Sequence, residues 1–134
     1  MISLKNTLKA ITNMLNDVPH YTLLWTNPNP TSSFSAQTIS LDLSKYDMVE
    51  VVFKQYASNP FFSTSKTEVG KSGKLFSYGY EDVREMDGRS YKVSTTGVSF
   101  QVGYSAMISA SSGTAADGQC VPYKIYGIKF GGGV

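Results

Sequence analysis

The sequence predicts a mainly β protein, an antiparallel and jelly-roll-like β-sandwich preceded by a short N-terminal α-helix. Three observations predict it. Nine Tyr, seven Phe and twelve Gly among 134 residues favour half-buried pleated surfaces joined by turns. A helical apolar pattern is confined to the first eighteen residues. Beyond it, short alternating segments follow one another without interleaved helices, as in sandwiches and barrels. We therefore expect a helical leader over residues 1–19 and one β domain over residues 20–134.

An apolar seam defines the leader. Its members recur at alternating intervals of three and four residues, which is the a/d spacing of a coiled coil. They are Met1, Leu4, Leu8, Ile11, Leu15 and Val18. Pro19 ends the pattern. Because a helix of this length is marginal alone in water, it needs a partner. The seam predicts either an oligomerisation segment, in which copies of the chain form a parallel bundle, or a helix packed on its own β domain.

Alternation of apolar and polar residues predicts strands at residues 38–43, 48–54 and 98–104. Apolar and aromatic runs predict two more at residues 21–25 and 74–80, and residues 121–130 are apolar on both faces, as in a central strand. The dipeptide Asp87-Gly88 accepts the positive φ values of a type I′ turn, and it predicts a hairpin between residues 83–86 and 89–93. Loops are expected at residues 27–33, 63–73 and 105–119, which are rich in small and polar residues.

Few side chains suit catalysis. His20 is the only histidine and lies at the junction of leader and domain, and Cys120 has no basic neighbour that would activate its thiol. One His and one Cys also fall short of a zinc site. We expect no catalytic residue, no metal and no cofactor, and hence no enzyme.

An acidic run is the one pattern that suggests paired carboxylates or ligands for a hard cation. It consists of Glu81, Asp82, Glu85 and Asp87. Arg84 and Arg89 are interleaved with these acids, and the run leads into the predicted hairpin. A solvated, salt-bridged surface is therefore expected, and a hydrolase is the weaker hypothesis.

The charge and hydropathy of the chain bear on its partners. The net charge is +2, with scattered Lys and Arg, so nucleic acid is not an expected partner. No stretch approaches the apolar length of a membrane-spanning helix, so no membrane insertion is expected. A single Cys and the lack of a secretion signal fit a protein made in a reducing cytoplasm.

Aromatic side chains near loops are candidates for stacking on sugar rings. The candidates for glycan contact are Trp25, Tyr56, Phe61, Phe62, Tyr78 and Tyr80. Most aromatic residues of a β-sandwich belong to its core, so the alternative for each candidate is a role in core packing.

The order of several short motifs resembles small β modules of bacteriophage and prophage structural proteins, such as the C-terminal domains of fibre, spike or baseplate-associated proteins. These motifs are Leu24-Trp25-Thr26-Asn27-Pro28, the strand at 38–43, Lys45-Tyr46-Asp47 with the strand at 49–53, and Ile125-Tyr126-Gly127-Ile128-Lys129. The resemblance transfers no catalytic or binding residue.

The resemblance implies a virion component, made in the host bacterial cytoplasm, that decorates the particle or contacts the cell surface. Its implied partners are copies of itself, with a homotrimer favoured, other virion proteins and a host cell-surface glycan. A leader of only eighteen residues favours a compact tip, head-fibre or decoration role over a long fibre. The alternative is a free-standing carbohydrate-binding or adhesion domain.

Overall fold

A computed structural model of the chain describes residues 3–58, 60–78, 85–107 and 113–131. Within these ranges the helix α1 covers Leu4–Asp17, and ten strands follow it. The strands are β1 His20–Thr26, β2 Gln37–Ser40, β3 Met48–Tyr56, β4 Phe62–Glu68, β5 Ser72–Tyr78, β6 Glu85–Ser94, β7 Gly97–Phe100, β8 Tyr104–Met107, β9 Thr114–Ala115 and β10 Gln119–Lys129.

The strands form two antiparallel sheets. The first sheet has the order β1-β10-β3-β4. In the second sheet β6 is central: it pairs with β5 along one edge, and with β7 and then β8 along the other. β2 adds to β7 and β9 adds to β8. The first and last strands are neighbours in one sheet, while β2 and β7 are neighbours in the other. The predicted β-sandwich with a short N-terminal helix is confirmed.

The core lies between the two sheets. On β3 the alternating residues Val49, Val51 and Phe53 are buried, as the period-two pattern predicts. Tyr91 and Val93 of β6 face them from the second sheet. Apolar burial of this kind is the main stabilising contribution to the fold.

Tyr91 connects the two sheets on one side of the sandwich. The Tyr91 hydroxyl lies 2.6 Å from Thr67 Oγ1 and 2.7 Å from Ser65 Oγ, so a β6 side chain is hydrogen-bonded to β4 of the other sheet. Because Tyr91 is almost fully buried, these partners satisfy a polar group that water cannot reach.

The hairpin predicted at Asp87-Gly88 is wrong. β6 runs without interruption through these residues, with Asp87 opposite Ser77 of β5 and Ser105 of β8. The ring of Tyr104 covers Gly88, and a Cβ there would lie 2.5 Å from the Tyr104 hydroxyl oxygen. The glycine thus permits a close side-chain approach within a sheet, and no turn requires it.

Two of the predicted loops contain strands. Residues 63–73 include most of β4 and the start of β5, and residues 105–119 include β8 and β9. β4 is the edge strand of its sheet and is mostly exposed, so its side chains carry no apolar alternation. The strand predicted at 98–104 is shorter, because residues 101–103 separate β7 from β8.

Candidate functional site

The predicted seam lies on α1 and is exposed. Ser3 caps the helix, its Oγ accepting a hydrogen bond from the Asn6 backbone N–H at 3.2 Å. The exposed fractions are 74% for Leu4, 55% for Leu8, 47% for Ile11 and 61% for Leu15. Val18 follows the helix in extended conformation and is also exposed, while Met1 lies outside the described residues. The sandwich of the same chain therefore does not bury this seam.

The six aromatic candidates fall in different places. Trp25 is half-buried and packs against the core, with its ring edge-to-face to Phe34 at 6.1 Å between centroids. Tyr56 is half-buried at the end of β3. Phe61 and Phe62 are exposed. Tyr80 and the side chain of Tyr78 lie outside the described part of the structure.

A small aromatic patch forms around Phe62. Its ring lies 5.0 Å from that of Tyr123, and Lys124 Nζ lies 5.1 Å from the Tyr123 centroid. Tyr123 was not among the sequence candidates. It lies at a register shift between Pro122 and Lys124, which breaks the alternation that would have assigned it to a face. We call Phe62 and Tyr123 the outer aromatic patch.

A half-enclosed cavity of about 260 Å³ opens beside Trp25. The end of β1, the β1–β2 connection and β2 build it, and residues 27–33, which were expected to form a loop, supply four of its eight lining residues. The lining residues are Trp25, Asn27, Pro28, Asn29, Ser33, Phe34, Gln37 and Ile39. We call it the Trp25 cavity.

The acidic run does not form a solvated surface where the structure describes it. Asp87 and Arg89 are both fully buried and alternate on the inner face of β6. Glu81, Asp82 and Arg84 lie outside the described residues. The misplaced hairpin is the cause of the wrong prediction, because a turn would have exposed the same charges.

Arg89 is bound by main-chain carbonyl groups. Its Nε donates to Cys120 O at 3.0 Å, Nη1 donates to Gln101 O at 2.7 Å, and Nη2 donates to the carbonyls of Asp117 and Gln119, both at 3.0 Å. The guanidinium carbon also lies 5.4 Å from the Phe34 ring centroid. Burial lowers the pKa of Arg89, and the charge of Asp117 opposes this shift. The guanidinium fork links β6 to the start of β10 and to the segments that precede β8 and β10, which is a structural role.

Asp87 has a different environment. Both of its carboxylate oxygens are buried without a hydrogen-bond partner, and the nearby Ser105 hydroxyl donates instead to Glu85 Oε1 at 2.7 Å. Burial raises the pKa of Asp87, the nearby Ser105 and Tyr56 hydroxyls oppose this rise, and the negative charge of Glu85 adds to it. A carboxyl group that solvent cannot reach has no path to a large substrate, so its closeness to Glu85 does not make a hydrolase site.

Cys120 and His20 also lack the surroundings of a nucleophile and its base. Cys120 is fully buried, and burial raises the pKa of its thiol to about 11. His20 begins β1 and lines a cavity of about 200 Å³ with Lys45, Tyr46 and Lys129. Its Nε2 is buried and has no hydrogen-bond partner.

The described residues contain neither a cluster of metal ligands nor a membrane-spanning helix. No group of three or more His, Cys, Asp or Glu side chains gathers there in a way that could hold a metal ion. In the same residues, no helix has the length and apolar character needed to cross a membrane.

Comparison of the chain with family models, with curated proteins and with solved structures gives no match.

Proposed function

We propose that this chain is a non-enzymatic structural protein of a bacteriophage particle, an oligomeric fibre, spike or capsid-decoration module that contacts the host cell surface. The observation that carries the proposal is the exposed apolar seam on α1. Its four described helical members are about half or more exposed, in a helix that is capped and clearly separate from the sandwich core.

Such a seam is costly to leave in water. Burying a leucine or isoleucine side chain contributes about 1.5–3 kcal/mol, and each copy presents Leu4, Leu8, Ile11 and Leu15 together. A fourteen-residue helix is also marginal by itself, so association both covers the seam and stabilises the helix. Copies of the same chain are the simplest partner, because one seam is complementary to another.

The residue types along the seam favour more than two strands. With Leu8 and Leu15 at a positions and Ile11 at a d position, the pattern lacks the β-branched a residues of two-stranded coiled coils. A parallel trimer fits this preference and agrees with the phage resemblance. In a trimer the three sandwiches follow the helices at Pro19 and extend from one end of the bundle.

Size-exclusion chromatography with light scattering tests the assembly. The wild-type chain of 14.6 kDa is expected to elute as a trimer. The double variant Leu8→Asn and Ile11→Asn is expected to be monomeric and folded, because it places two amides in the seam. Lys9→Asn is the matched control, since it introduces the same side chain on the polar face. A wild-type protein that stays monomeric at millimolar concentration would contradict the proposal.

The phage assignment has its own test. The genes beside the coding sequence are expected to encode capsid or tail proteins, and antibodies against the sandwich are expected to label purified particles. Neighbouring genes of unrelated metabolism, together with unlabelled particles, would remove the virion role even if the trimer forms.

A free-standing carbohydrate-binding or adhesion domain is the second candidate. The outer aromatic patch favours it, because Phe62 is more than half exposed and its ring lies against that of Tyr123, and the neighbouring Phe61 is also more than half exposed. A monomeric protein that binds host cell walls, and loses this binding in Phe62→Ala, would favour this candidate over the virion module.

A further inference from the structure

We propose that the Trp25 cavity binds a single neutral sugar ring. This inference deepens the host-contact part of the proposed function and rests on it. It places the contact with the host cell surface in the Trp25 cavity and names neutral sugars as the ligand class.

The composition of the wall argues for a sugar. Sugar rings combine apolar C–H faces with hydroxyl groups, so their sites pair an aromatic side chain with neutral hydrogen-bonding groups. The indole of Trp25 and the ring of Phe34 supply the aromatic part. Asn29, Ser33 and Gln37 supply exposed amide and hydroxyl groups. None of the described residues that line the cavity is charged, which favours a neutral ligand over a phosphate or an acidic sugar.

The wall is held in place before any ligand binds. Asn27 is buried, its Nδ2 donating to Pro122 O at 2.8 Å and its Oδ1 accepting from the Asn29 backbone N–H at 2.8 Å. Farther along the same connection, Phe34 N–H donates to Asp117 O at 2.9 Å. Because the β1–β2 connection is tied to the rest of the sandwich at both ends, little conformational entropy is lost on binding.

The size of the cavity limits the ligand. Its volume of about 260 Å³ lies just below the range of about 300–1,000 Å³ that is typical of sites for drug-sized molecules. One ring fits this space, and an extended oligosaccharide would have to project from the opening. The expected ligand is a hexose or an N-acetylhexosamine at the end of a chain.

The position in the fold suits a host contact. β1 begins at His20, next to the helix, and ends at Thr26, next to the cavity. Seven residues of strand span roughly 20 Å, so the cavity lies at the end of the sandwich away from the helix attachment. In an assembly joined by its helices, several such cavities face outward together, and several weak sites on one particle bind far more tightly than one.

Fluorescence gives a direct test, because Trp25 is the only tryptophan of the chain. The full chain is titrated with glucose, galactose and N-acetylglucosamine to about 100 mM, a range that covers weak binding of a single ring. At least one neutral sugar is expected to shift the tryptophan emission in a saturable way. Glucuronic acid, which carries a carboxylate, is expected to give no saturable shift.

Two variants assign the response to the cavity. Ser33→Ala with Gln37→Ala removes polar groups from the wall and leaves Trp25 in place, and it is expected to weaken binding by about tenfold. Phe62→Ala is the matched control, since it changes an exposed aromatic residue of the outer aromatic patch and is expected to bind normally. Thermal unfolding of each variant verifies that the sandwich is intact.

The outcomes separate this inference from the proposed function. Emission that no neutral sugar changes, in a folded protein, would overturn the sugar site whatever the oligomeric state. A response lost in Phe62→Ala but retained in the Ser33 and Gln37 double variant would overturn it as well. If the protein is monomeric but its tryptophan emission responds to a neutral sugar as expected, the sugar site is supported and the proposed oligomer is contradicted.

Discussion

Arg89 shows how a charged residue can stabilise the interior of a sandwich. It is fully buried, yet its guanidinium group donates hydrogen bonds to four main-chain carbonyls. Replacing Arg89 by Ala would remove a donor from each of these carbonyls and would open a cavity, although the Asp117 carbonyl would keep the Phe34 N–H. We expect Arg89→Ala to lower the free energy of unfolding by about 3 kcal/mol or more in urea denaturation.

Lys92 provides the control on the same strand. It is exposed, so Lys92→Ala is expected to change the free energy of unfolding by no more than about 0.5 kcal/mol. Arg89→Lys keeps the charge but loses the planar fork, and its stability should lie between that of Arg89→Ala and that of the wild type. Equal stability of the Lys and wild-type proteins would show that charge alone matters.

Asp87 is expected to make stability fall as the pH rises. Its pKa is raised in the folded state by burial, so its protonated form is favoured there. The stability associated with that form is fully present below the unfolded pKa and is lost as the pH rises through the folded pKa. We therefore expect Asp87→Asn to raise the free energy of unfolding at pH 8 by about 1 kcal/mol, with a smaller difference at pH 4.

Asp42 gives the opposite trend and serves as the control. Hydrogen bonds from the Ser44 hydroxyl and backbone N–H lower the pKa of Asp42. Its contribution is present above the unfolded pKa and is lost as the pH falls through the lower folded pKa, so Asp42→Asn should destabilise the protein at pH 8 and have little effect near about pH 2. Urea denaturation from about pH 2 to pH 8 compares the two variants. A destabilised Asp87→Asn protein at pH 8 would contradict the burial argument.

At the scale of elements, the pairing of β2 with β7 depends on a close backbone approach. A Cβ on Gly97 would lie 2.4 Å from the Ile39 carbonyl oxygen. Because this oxygen belongs to the backbone, a change of side-chain rotamer cannot relieve the clash. We expect Gly97→Ala to lower the melting temperature and to speed amide exchange in β2. In Gly118→Ala, the nearest atom to the new Cβ is Ser33 Oγ at 3.8 Å, so this control should unfold near the wild-type temperature.

Elements differ in how well their own residues predict them. The seam and the following Pro19 were enough to predict α1, because both act locally in the sequence. The buried alternation of Val49, Val51 and Phe53 identified β3 for the same reason. β4, β8 and β9 were missed because backbone pairing to other strands forms them, with little apolar alternation.

At the scale of the whole molecule, helix and sandwich are expected to respond differently to protein concentration. If the seam is covered only in the oligomer, hydrogen exchange of the α1 amides should slow as concentration rises. Exchange in the sandwich core, such as β3, should not change, because its partners lie within one chain. Hydrogen exchange at micromolar and at millimolar concentration measures both. Concentration-independent exchange in α1 would contradict assembly through the helix.

For the candidate sites, too, the sequence indicates single residues, whereas the residues that complete each site come from distant parts of the chain. The seam residues were found from their spacing, and Trp25 was selected as an aromatic residue near a loop. Its cavity, however, is completed by Ser33 and Gln37, which the β1–β2 connection and the β2–β7 pairing bring beside it. The outer aromatic patch needed Tyr123, which a register shift places against Phe62.

The sequence by itself determined the β class, the helix and its apolar seam, because the periodicity that reveals them relates residues close along the chain. Only the tertiary structure decided where the charged and aromatic side chains lie. Asp87 and Arg89 point into the sandwich because β6 continues through the expected turn and pairs on both edges. Strand pairing joins residues distant in sequence, and a one-residue change of register turns a side chain from solvent to core.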